Sequence, residues 1–138
     1  MNFNYIAPEQ IPTVWRTIRK DVIQCINQDT DDCLIEDVYY FIKANLASLY
    51  VCYDEDKYVG FCVLQRIHDM YSGVPKIIVW LCKSKNRKYT EMCFELVKKQ
   101  AIESGCNKIV FKNTNQNFLR LMKPLGFKQG EMEFICEI

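Results

Sequence analysis

The sequence predicts an α/β fold on a mixed sheet, and three observations carry that prediction. Ile77, Ile78, Val79, Trp80 and Leu81 lie inside an apolar run at residues 76–82, too short for a helix and too continuous for a half-buried strand, so it reads as a central strand covered on both faces. Directly after it come Lys83, Lys85, Arg87 and Lys88, and Thr90 then opens a segment with Met92, Cys93, Leu96, Val97 and Ala101 at helical spacing. Around this unit the other periodicities alternate in the order strand, helix, helix, three strands, helix, strand, helix, strand. A strand, a cationic turn and a helix N-terminus in succession make a seat for an anion.

The elements follow in order. Residues 1–7 supply a first strand, with Phe3 and Tyr5 alternating against Asn2 and Asn4. From Pro12, the spacing of Val14, Trp15, Ile18, Val22, Cys25 and Ile26 predicts an amphipathic helix with Arg16, Arg19 and Lys20 outside. Acids at Asp29, Asp31 and Asp32 break the pattern and read as a capping, solvated turn. A second helix follows with Leu34, Ile35, Val38, Phe41 and Ile42 facing inward. Tyr39 and Tyr40 cannot both point inward, so one of them marks a surface. Residues 49–53 and 58–65 are strands joined by a polar hairpin turn, and Gly60 within the second signals a bulge or a close backbone approach.

After the central strand and its helix, Gly105 reads as the helix C′ residue. Residues 108–112 form another short strand, Asn115 caps a helix over 118–122, Pro124 ends it, and residues 131–138 alternate as a last strand.

Composition bounds the function. With 138 residues there is room for one well-filled core, so residues 1–138 are expected to form a single domain. Eighteen Lys and Arg nearly cancel 17 Asp and Glu, which removes any global pull toward nucleic acid or membrane. No stretch reaches the roughly 18 apolar residues of a membrane span, and the first residues lack a signal-peptide core, so a cytoplasmic protein is expected, or one packaged from the cytosol. Eight cysteines are many, but Cys52, Cys62, Cys82 and Cys136 sit in apolar strand patterns as small hydrophobes, and no Cys-x-x-Cys pair occurs. The sole histidine, His68, has no cysteine at ligand spacing, and no metal site is expected.

Through this order of elements the chain resembles the GNAT superfamily of acyl-CoA-dependent N-acyltransferases over essentially its whole length. Asn115, Leu121, Leu125, Gly126 and Phe127 look like the family's Asn-rich helix start and closing Leu-Gly-Phe. Tyr58, Val59, Gly60 and Phe61 resemble its third strand, and residues 105–109 the entry to its fifth. More narrowly, residues 8–15 and Val79-Trp80-Leu81 with a glycine-poor loop resemble GNAT-type proteins of tailed bacteriophages.

The resemblance implies acetyl-CoA as cofactor, its pyrophosphate cradled by backbone amides after the fourth strand in a Gln/Arg-x-x-Gly-x-Gly/Ala motif. This sequence has no glycine between Gly73 and Gly105. One register puts Lys88 at the Gln/Arg position, Glu91 at the first glycine and Cys93 at the last; the other starts at Arg87 and puts Thr90 and Met92 on the glycines. A carboxylate about 6 Å from a phosphate, at an effective dielectric near 20, costs about 3 kcal/mol, so CoA binding is expected to be weak. By the same resemblance Leu81 and Cys82 would present backbone to pantetheine, Lys83, Lys85, Arg87, Lys88, Tyr89 and Thr90 would hold phosphates, and Asn115 would touch the pantetheine arm. The position of the family's thiolate-protonating tyrosine falls on Met122, a loss worth on the order of 10² to 10⁴ in rate. His68 and Asp69, in the loop after the third strand, are the nearest candidates for a general base.

Two functions follow. One is a degenerate GNAT-fold protein, weakly catalytic or non-catalytic, acting by binding a phage structural or host protein, and virion-associated. The other is acetyl transfer to an amine of a protein or small molecule. The basic run itself admits three readings: a solvated loop, a residual phosphate site, or a contact for DNA or an acidic protein surface. Without interleaved aromatics beyond Tyr89, nucleic acid is the weakest partner.

Overall fold

The structure, a computed structural model, describes residues 1–29, 34–111, 120, 123–128 and 136. Asn115, Met122, the helix expected over 118–122 and the strand expected over 131–138 therefore lie outside the described residues, Arg120 and Cys136 aside, as do Asp31 and Asp32.

Five strands form one sheet in sequential order: β1 (Asn2–Ile6), β2 (Ser48–Asp54), β3 (Lys57–His68), β4 (Pro75–Ser84) and β5 (Ile109–Phe111). The first four pair antiparallel, and β5 pairs parallel to β4 through Ile77, Ile78 and Val79. Alternation along β3 sends Phe61 and Val63 to one face, Cys62 and Leu64 to the other. The first face packs on helices α1 (Ile11–Asp29) and α2 (Ile35–Lys43) through Ile18, Val22, Val38 and Ile42. The second packs on α3 (Arg87–Glu103) through Val97 and Ala101. The apolar run of β4 thus serves both layers, as its continuity predicts.

Two one-residue slips shape the ladder. On β4, Val79 pairs with Leu64 but Leu81 pairs with Val63, so Trp80 is an inserted residue. The insertion reverses the strand's alternation: Ile77 and Val79 face α3, whereas Trp80 and Leu81 both face α1 and α2, where Trp80 meets Phe41 edge-on at 5.5 Å. On β3, Cys52 of β2 pairs with Gly60 and Tyr53 with Tyr58, leaving Val59 as the extra residue. Tyr58 consequently joins the α1 face.

Gly60 answers the close-approach reading of the sequence. A Cβ there would lie 2.5 Å from the Lys83 carbonyl oxygen. At the C-terminus of α3, Gly105 takes φ 75°, and its N–H donates to Ile102 O at 3.0 Å while Cys106 N–H donates to Ala101 O at 2.8 Å. That double closure satisfies carbonyls the helix cannot.

Several expectations need correction. Leu34 does not face inward: it precedes α2, is 64% exposed, and its N–H donates to Asp37. The third strand runs on through His68 because the β3–β4 ladder continues to His68 opposite Pro75. Thr90 does not open the third helix, which starts at Arg87 behind an Asn86 cap. Pro124 sits in a 3-10 turn, Lys123–Leu125, and the helix end expected just before it lies outside the described residues. Cys136 is exposed, and the seven described cysteines form no disulfide. Of the tyrosine pair, Tyr39 packs on Trp15 at 5.1 Å and Tyr40 is the exposed member. No helix among the described residues is long and apolar enough to cross a membrane.

Candidate functional site

The candidate site lies where β4 ends and α3 begins. Only Lys85 and Asn86 separate Ser84 from the first residue of the helix. Lys85 N–H still belongs to the sheet, donating to Val59 O at 3.0 Å. Asn86 is extended (φ −157°, ψ 173°), and its side-chain oxygen accepts from Tyr89 N–H at 3.1 Å. Its carbonyl accepts from Thr90 N–H at 3.1 Å and lies 3.2 Å from the hydroxyl oxygens of both Thr90 and Ser84. Those two hydroxyls are also within bonding distance of each other, so one donates to the carbonyl and the other donates to that hydroxyl. A helix leaves its first N–H groups unused, and with Tyr89 capped, the amides of Arg87 and Lys88 are the pair directed outward at this end.

The side chains of the basic run divide. Lys83 turns to α1, where its ammonium sits 3.2 Å from Asp21 Oδ1 and also bonds Gln24. Tyr58 Oη donates to the other oxygen of Asp21 at 2.7 Å. Burial first, then this hydrogen bond and the Asp21 charge, push the Tyr58 phenol far above its ordinary value. Lys85 lies over the Tyr58 ring, 6.0 Å from its centroid. Arg87 pairs with Glu91 at 3.4 Å along the helix surface. The guanidinium therefore offsets part of the repulsion expected of Glu91, at the expense of its own availability. Tyr89 Oη donates to Asp54 Oδ2 at 2.8 Å, which is the leading cause of its raised pKa. Of four cations, Lys83 and Arg87 are engaged in ion pairs, Lys85 is exposed with its ammonium over the Tyr58 ring, and Lys88 is exposed.

Leu81 is buried in the core, and the Cys82 carbonyl accepts from Cys25 Sγ at 3.4 Å. Residues 80–84 run on past Val79, the last β4 residue with a described partner in β5. The structure thus gathers Leu81 to Thr90 at one end of β4. It places His68 elsewhere: eight β4 residues separate Pro75, the partner of His68, from Ser84, roughly 30 Å along a strand. His68 is exposed and 3.5 Å from Arg66 Nη1. Asp69 beside it holds the hairpin turn, accepting from Tyr71 and Ser72 N–H at 2.9 Å each, and these bonds keep its carboxyl below the usual range.

Asp21, Gln24, Asp54, Ser84 and Asn86 were not among the residues singled out from the sequence. Asn86 had a readable signal, an Asn ahead of a helical pattern. Asp21 had none, because its partners depend on the two inserted residues. Among the described residues no group of three His, Cys, Asp or Glu side chains is arranged to hold a metal.

No protein-family profile matches the chain, and no curated protein sequence matches it. Solved structures do. A ribosomal-protein-alanine N-acetyltransferase from Brucella melitensis biovar Abortus 2308 matches with TM-score 0.75 at 8% identity, over 100% of both chains. The aminoglycoside N-acetyltransferase AAC(6')-Iy in complex with CoA matches with TM-score 0.65 at 14% identity, over 99% of this chain and 98% of the other. An aminoglycoside acetyltransferase from an uncultured soil metagenomic sample, in complex with sisomicin, matches with TM-score 0.67 at 15% identity, over 99% and 96%.

Proposed function

With the GNAT fold as premise, we propose that residues 1–138 form a single domain with a degenerate acetyl-CoA site, weakly catalytic or non-catalytic, that acts by binding another protein. The β4–α3 turn carries this reading. A pyrophosphate cradle needs several backbone amides converging without side chains in the way. Here the turn is two residues long, one of its amides is spent on β3 and another helix amide on Asn86, and two of four cations are paired internally. The phage resemblance makes a phage structural or host protein the partner class, with packaging in the virion. Co-purification with phage particles, or a stable complex with a phage structural protein, supports the reading. Robust acetyl transfer that disappears when residues 83–90 are changed overturns it.

A second reading, acetyl-CoA-dependent N-acetyl transfer, is favoured by the β4 residues that extend past β5 and by Lys85 and Lys88 beside the α3 N-terminus. In it Leu81 and Cys82 offer backbone to pantetheine, residues 83–90 hold phosphates, and Asn115 touches the pantetheine arm. The acceptor is an amine, of an aminosugar or of a protein, as the names of the similar structures suggest. A ligand at a hundred times its dissociation constant adds about 2.7 kcal/mol, which raises the melting midpoint by several degrees. Absence of any shift at millimolar acetyl-CoA removes this second reading.

A further inference from the structure

Cys52 on β2 and Cys93 on α3 bring their sulfurs to 3.2 Å. The approach follows from how the helix lies on the sheet. Tyr89 and Cys93 are one helical turn apart, Cys52 and Asp54 share a face of β2, and the Tyr89–Asp54 bond sets the same two surfaces in register. Cys52 is fully buried and Cys93 only partly, so Cys93 is the one of the pair nearer to solvent. Contact with Cys52 keeps the Cys93 thiol below its ordinary value. The same contact, then burial, drives Cys52 far above its own.

We propose that Cys52 and Cys93 close into a reversible disulfide when the chain meets a hydroperoxide. The Cys93 thiolate attacks the peroxide oxygen, the O–O bond breaks, and Cys93 becomes a sulfenic acid as water or alcohol leaves. The leading cause of Cys52's reluctance to ionise is then gone. Its sulfur attacks Cys93 sulfur, the S–O bond breaks, and a second water departs with the Cys52 proton. Two thiols are oxidised by two electrons and one peroxide is reduced. Closing from 3.2 Å to a bond of about 2.05 Å takes little more than 1 Å of motion. The product pins the second turn of α3 to β2, independently of whether the neighbouring turn binds CoA.

Peptide mapping tests this on the full chain. Trypsin cleavage after Lys43, Lys57, Lys88 and Lys98 isolates Cys52 in residues 44–57 and Cys93 in residues 89–98, with no other cysteine in either. Reduced protein is treated with a small excess of hydrogen peroxide, alkylated under denaturing conditions and digested. The expected product is these two peptides cross-linked, lighter by two hydrogen atoms and separated by a thiol reductant. In Cys52→Ser, a dimedone adduct accumulates on Cys93 instead. If Cys52 alkylates as fully after peroxide as before, or the cross-link maps to another pair, the proposal fails; the wild-type measurement decides even where the variant folds poorly.

Discussion

A Cβ on Gly60 of β3 would fall 2.5 Å from the Lys83 carbonyl oxygen and 3.1 Å from Ser84 Cα on β4. Both neighbours are backbone, so neither yields by rotating. Gly60→Ala is therefore expected to cost about 1–3 kcal/mol, the usual range for overpacking. Urea denaturation measures it, and a loss below about 0.5 kcal/mol would mean the end of the ladder opens at little cost.

Asn86 holds the start of α3 by accepting from Tyr89 N–H. Asn86→Ala should lose about 0.5–2 kcal/mol, whereas Asn86→Asp keeps the cap and suits the helix dipole, leaving stability nearly unchanged. The Asp variant also adds a negative charge at the turn. Under the acetyltransferase reading it weakens CoA binding without unfolding the protein, a combination readable by thermal melting with and without CoA.

Alkaline pH should destabilise the fold in two stages. Burial raises Cys62 well above 9.0, and burial with the Asp21 hydrogen bond raises Tyr58 above 10.0. Both groups are neutral in the fold, so their contribution is complete below the unfolded values and declines as pH climbs past them. The melting midpoint should fall from about pH 9 upward, and Tyr58→Phe should flatten the part that begins near pH 10. A midpoint that is level between about pH 8 and 11 contradicts this.

Lys85 and Lys88 are exposed, so Lys85→Glu with Lys88→Glu should alter stability by less than about 0.5 kcal/mol. The proposed function expects CoA at about 1 mM to move the melting midpoint by less than about 1 °C. A shift of several degrees in the wild type, abolished in the double variant and by added salt, would replace it with the acetyltransferase reading.

The order of elements as far as β5 was legible because β4 is an uninterrupted apolar run and the helices on either side keep a regular period. Gly60 and Gly105 announced themselves by being glycines where a side chain is expected. Asn86 was legible in principle, yet the basic residues around it drew the helix start to Thr90. The β3–β4 ladder that carries His68 away from the turn depends on how far the hairpin extends, which local pattern does not state. The Asp21 cluster was illegible: Trp80 and Val59 are ordinary strand residues, and nothing about either marks an insertion.

The extra residue at Trp80 makes β4 sensitive to length. Beyond it every side chain faces the layer opposite to the one an unbroken strand would choose, which is how Lys83 reaches α1 while Cys82 lies against α3. One residue added between Leu81 and Cys82 would exchange those two environments, sending an ammonium group toward the thiols and a thiol toward Asp21, whereas loss of Trp80 itself would restore plain pairing and leave both where they are. An added residue in the Glu55–Asp56 turn would leave both layers intact. A scan of single-residue insertions should therefore find β4 intolerant just past Leu81, along a stretch where point substitutions at the exposed cations pass unnoticed.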